Sequence, residues 1–155
     1  MRRNIFFVIV LMLLFASCNR TGSVSKVHTF NDAKWERFDP LNFDFAIEDA
    51  EMRFDIRIFV RYTEAFPSDA LSVNVVMNTP SGEERIKDYN IMLRDNKGQY
   101  IGKESDGLFT RIVTIREGLK FNETGVCKFE IENLMTKYFT PGIIEFGMEL
   151  KPRSE

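Results

Sequence analysis

Few side chains in this 155-residue sequence are equipped for chemistry: two cysteines, one histidine, and 23 acidic residues set against 21 lysines and arginines. Cys18 stands out by what precedes it. Arg2 and Arg3 are followed by an unbroken apolar run of 11 residues, Ile5 to Phe15, and then by Ala16-Ser17. A transmembrane helix needs roughly 20 apolar residues to cross the hydrocarbon layer, so a run this short fits the h-region of an export signal instead. Residues 1–17 are expected to be removed, leaving Cys18 as the new N-terminal residue. A thiol is the only side chain here that can form a thioether with diacylglycerol.

Leu14-Phe15-Ala16-Ser17-Cys18 resembles the lipobox of bacterial lipoproteins, in which the cysteine receives the lipid. Cys18 is therefore the expected lipidation site. Several acyl chains such as palmitate, at about 0.8 kcal/mol per buried CH₂, hold a protein to a membrane effectively permanently. The rival reading is an unlipidated secreted protein in which Cys18 pairs with Cys127. Once Cys18 is acylated, no second thiol remains for an intramolecular disulfide, and the core alone must hold the fold.

No other chemistry assembles from residue types and spacing. His28 has no evident nucleophile or orienting carboxylate and reads as a solvated residue. No HExxH, paired-cysteine or calcium-loop spacing occurs, so no metal ligands and no cofactor are assigned. Glycosidase chemistry needs only two carboxylates, which makes any pair among 23 uninformative. Glu83-Glu84 reads as a charged loop tip, and Asp44 and Asp49 as solvent-facing. Catalytic residues are accordingly expected to be none. Cys127 shares its face with Phe129 and Ile131, opposite Lys128, Glu130 and Glu132, and reads as a small core residue. Trp35, near Phe30 and Phe38, fits a core role better than an aromatic platform for sugar, the alternative function it would support.

The elements carrying these residues follow a period of two. Phe43, Phe45 and Ile47 alternate with Asp44 and Ala46; Phe54, Ile56, Ile58, Val60 and Tyr62 alternate with Asp55, Arg57, Phe59 and Arg61. The pattern returns at Leu71–Met77, Val113–Ile115, Cys127–Ile131 and Ile144–Leu150, predicting strands with one buried face. Turns are predicted at 66–69, 79–82, 95–98, 105–107, 122–125 and 140–142, each built on proline or glycine. Seven or eight such strands predict an all-β fold, an antiparallel β-sandwich of Ig-like or jelly-roll-like type, with a closed barrel as the rival. Phe59 and Val76 fall on the polar faces of their strands, so either both sheet faces are covered or a small apolar patch is exposed. The polar loop between Gly102 and Gly107 suits a docking edge or an ordinary hairpin.

The predicted organisation is a signal peptide over 1–17, the lipidated Cys18 with a polar tether over 18–25, and one domain over 26–155. Cleavage leaves 19 basic and 23 acidic residues, a net charge of −4 that favours neither nucleic acid nor anionic headgroups. Phe30 to Trp35, Phe43-Asp44-Phe45-x-Ile47-x-Asp49, Arg61-Tyr62, Leu93 with Gly98-x-Tyr100-Ile101-Gly102, Phe121-x-x-x-Gly125-x-Cys127-x-Phe129-x-Ile131-x-x-Leu134-Met135, and Gly142-Ile143-x-x-x-Gly147-Met148-Glu149-Leu150 together resemble the GldH family of gliding-motility lipoproteins of Bacteroidetes. Phe66-Pro67 followed by Ala70-Leu71, and Met135-Thr136, depart from that pattern. The resemblance implies a lipoprotein without known catalysis, needed for gliding and associated with type IX secretion machinery. It implies envelope protein partners and supplies no catalytic residues. Asn19 to Ser23 lacks the acidic cluster that resembles a surface-export signal, so the domain is expected to face the periplasm.

Overall fold

The computed structural model describes residues 22–153. The export signal read over 1–17 and the lipidation site read at Cys18 lie outside the described residues. Eleven strands follow in order: β1 (Val24–Thr29), β2 (Lys34–Glu36), β3 (Leu41–Ile47), β4 (Arg53–Tyr62), β5 (Ala70–Asn78), β6 (Glu84–Met92), β7 (Lys103–Ser105), β8 (Leu108–Lys120), β9 (Gly125–Asn133), β10 (Phe139–Pro141) and β11 (Ile143–Pro152). Three of them, β2, β7 and β10, are only three residues long, which leaves eight longer strands to build the layers.

One sheet has the order β1-β11-β4-β8-β7 and the other β3-β9-β5-β6, with β10-β2 as a separate clip. The architecture is thus an antiparallel sandwich of two separate sheets, and the barrel alternative is excluded. Alternation does the work expected of it. In β4, Phe54, Ile56, Ile58, Val60 and Tyr62 are buried, and β3, β5 and β9 turn Leu41, Phe43, Phe45, Ile47, Leu71, Val73, Val75, Met77, Cys127, Phe129 and Ile131 into the same core. Each such aliphatic or aromatic side chain contributes about 1.5–3 kcal/mol by leaving water.

β1 begins at Val24, opposite Leu150 of β11, so Val24 and Ser25 of the stretch read as tether are paired in a sheet. The chain therefore enters at the pole where β4 starts and β11 ends, since Phe54 pairs with Pro152 there. The opposite pole is closed by the β2–β10 clip, in which Trp35 pairs with Thr140. Thr140-Pro141-Gly142 is a pivot: β10 and β11 belong to different sheets, and the chain swings between them at Gly142, with φ 81°.

Candidate functional site

Cys127 is fully buried, and desolvation pushes its thiol from 9.0 up to about 12, against a smaller opposing pull from Arg85. A thiol held neutral in a core is neither nucleophile nor metal ligand. His28 is exposed on β1, edge-on to Phe30 at 4.7 Å. Asp44 is exposed on β3, and Asp49 accepts the Glu51 amide at 2.8 Å as a turn-former. Glu83 takes a two-pronged grip from Arg85 at 2.7 and 2.8 Å, which lowers its carboxyl below the usual range. These acidic residues are not gathered into one site. Neither of two surface cavities, of about 160 and 180 Å³, is lined by a carboxylate, and among the described residues no trio of His, Cys, Asp or Glu is placed for a metal.

Trp35 is 0% exposed, stacked on Phe30 and tilted against Phe146, with its indole N–H donating to the Asp39 carbonyl at 3.1 Å. Its burial removes it as a sugar platform. The nearby exposed rings do not form one coplanar platform, because Phe38 and Tyr138 are inclined at 56° and Tyr138 and Phe139 at 89°. The segment between Gly102 and Gly107 is an ordinary hairpin, in which Lys103–Ser105 pairs with Leu108–Thr110.

Phe59 resolves the question of the apolar residue on a polar face. Its ring lies over Gly147, in space that a Cβ at 147 would fill. Val27, Gly147, Phe59 and Ile112 stand in register across β1, β11, β4 and β8, forming a narrow apolar stripe. Ion pairs border it on both sides, Arg57–Glu149 at 3.0 Å and Arg61–Glu145 at 3.7 Å.

Three features have roles that residue type and spacing did not indicate. Asn133 is 2% exposed; its amide donates to the Thr140 hydroxyl at 3.0 Å and its carbonyl accepts from the Met135 amide at 2.9 Å, pinning the β2–β10 clip to β9. The Tyr62 hydroxyl sits between the carbonyls of Leu93 and Ile101, at 2.6 and 2.7 Å, and burial raises its pKa above the ordinary value. The third is an open seam between the sheets, where Ile56, Val75, Met77, Ile115 and Phe129 form an apolar floor and Arg85, Lys87 and Arg116 stand around it. Tyr89 closes one end, its hydroxyl donating to the Ile115 carbonyl at 3.4 Å.

Fold and surface define a small β-sandwich with no assembled catalytic constellation among the described residues. The model of the family described as GldH lipoprotein matches residues 23–150, and the chain belongs to that family. No curated protein matches it. Among solved structures it is similar to an exo-β-1,3-galactanase from Phanerochaete chrysosporium, at 10% identity and a TM-score of 0.36, covering 82% of this chain and 26% of that one. The chain therefore spans about a quarter of that enzyme's length. It is also similar to the Yersinia pseudotuberculosis-derived mitogen, at 8% identity and a TM-score of 0.33 over 86% of this chain and 87% of that one. Likenesses at this level carry no functional weight.

Proposed function

We propose that this protein is a lipid-anchored, non-enzymatic accessory component of the envelope machinery for gliding and type IX secretion, held to its membrane through Cys18, facing the periplasm, and working by binding other envelope proteins. The family match over 23–150 carries the reading. Burial of Cys127 supports it from a second direction: a thiol in the middle of the core is a poor disulfide partner for Cys18, which favours the lipid over the secreted, disulfide-bonded rival.

The test pairs anchor with phenotype. Cys18→Ala should move the chain from the membrane fraction to the soluble fraction, and deletion of the gene should impair gliding, protein secretion or recovery of an envelope complex. Retention of the Cys18→Ala chain in the membrane defeats the anchor, and an unaffected deletion strain defeats the role. Protease shaving of intact cells should leave the domain whole, and its removal would place it on the outer surface.

A further inference from the structure

The two sheets are unequally finished. On the side where β1 and β3 form the edges, the Lys26 ammonium reaches over the Phe45 ring at 5.7 Å. On the other side, β6 is the outer strand of its sheet for nine residues, and among the described residues it pairs with β5 alone. Its backbone donors and acceptors on the outer edge are open to another strand.

Register fixes what such a strand would meet. Arg85, Lys87, Tyr89 and Ile91 pair with Met77, Val75, Val73 and Leu71, the buried row of β5, so they face the other sheet. Ile86 and Met92 lie on the outer face, 61% and 46% exposed. Behind Arg85 and Lys87 is the cavity of about 160 Å³ floored by core residues, with Arg116 across it. Lys87 and Arg116 make no ion pair among the described residues; Lys87 rests only on the Tyr89 ring, at 5.1 Å. Lys87 and Arg116 thus stand without acidic partners beside an open apolar seam.

Inward-facing charge on an edge strand can serve simply to repel other strands. Repulsion requires no apolar groove behind the charges, whereas recognition of a strand carrying acidic and apolar side chains requires both. We propose that β6 is a docking edge for an extended segment of a partner protein, which adds as a fifth strand with acidic side chains opposite Lys87 and Arg116 and an apolar side chain in the seam. Across a paired edge, a side chain directly opposite Lys87 comes within about 4.5–5.5 Å, while Arg116 borders the same seam from β8 of the other sheet. The inference rests on the protein-binding reading above and names its surface and the chemistry of its partner.

The test is a photo-crosslinking residue, p-benzoylphenylalanine, placed at Ile86 in the full-length lipoprotein in its own cells, with Asp44 on the opposite edge as comparison, and the captured segments sequenced. Position 86 should capture a segment of another protein with acidic residues at alternate positions. The double variant Lys87→Glu/Arg116→Glu, both sites being exposed, should reduce that capture at least tenfold without changing the melting temperature appreciably. In solution, a ten-residue strand peptide with threonine at every second position, and glutamate and valine taking turns at the positions between, should bind at least tenfold tighter than its counterpart with lysine for glutamate. Capture only of a second copy of this chain or of lipid, capture insensitive to the charge reversal, or equal binding of the two peptides would overturn the proposal. If position 86 captures nothing while position 44 captures envelope proteins, the edge is wrong and the functional reading stands; if neither captures any, both fall.

Discussion

Cys127 is disarmed by burial alone, and the consequence is measurable. In the unfolded chain its thiol ionises near 9.0; in the folded protein this moves up to about 12. The folded state therefore holds the proton more tightly, so the associated stability is fully present below about pH 9 and is lost as pH rises toward 12, at about 1.4 kcal/mol per pH unit. Tyr62 and Tyr89, also raised by burial, act in the same direction, so the cysteine is isolated by difference. The stability gap between the native protein and Cys127→Ala, measured by denaturant unfolding, should narrow by about 2 kcal/mol between pH 8 and pH 10.5. A thiol reagent should label Cys127 only after unfolding. Asn133 makes the complementary case of a polar group that belongs in a core. Asn133→Leu leaves the Met135 amide without its acceptor and the Thr140 hydroxyl without its donor, and should cost about 2–4 kcal/mol by denaturant unfolding. A loss below 0.5 kcal/mol would show that the clip is held by its aromatic packing alone.

At the level of elements, two glycines with the same φ of 81° separate conformation from crowding. An alanine Cβ at Gly82 would meet nothing, while one at Gly142 would overlap the Phe66 amide nitrogen. Gly82→Ala should cost about 1 kcal/mol for its left-handed conformation, and Gly142→Ala at least about 2 kcal/mol more for the displaced backbone. Equal losses would mean that the pivot relaxes freely. The contrast also marks the limit of what local sequence conveys. Strands β3, β4, β5, β9 and β11 were legible because one face of each is apolar and the other polar. β6 was not, because Glu84-Arg85-Ile86-Lys87-Asp88 places charge on both faces, as suits an edge strand wetted on two sides. β2 and β10 are too short for any period to emerge. Thr140-Pro141-Gly142 was readable as a turn, but its use as a pivot between sheets depends on pairings remote in sequence. The seam has the same origin: Ile56, Val75, Arg85 and Arg116 come from four strands and share no local motif.

The direction of β1 gives the whole molecule an orientation. The chain enters at Val24 beside Leu150, and the same pole carries Lys120, which pairs with Arg53. The other pole carries the clip with Lys137, Tyr138 and Phe139, and the ten-residue strands β4 and β11 separate the two by roughly 30 Å at about 3.3 Å per residue. A lipid on Cys18 leaves six residues to Val24, a reach of at most ~20 Å. Such a tether can bring the Lys120 pole to the headgroups but is too short to let the sandwich invert freely. With the lipidated protein in vesicles bearing a nickel-chelating headgroup, a nitroxide at Lys120 should relax several-fold faster than one at Lys137. This ordering follows from the entry point of β1, so equal relaxation at the two positions would show that the tether does not orient the domain. Inserting a flexible ten-residue spacer after Asn19 should bring the two rates together, because the longer chain reaches past the sandwich and releases the constraint that the short one imposes.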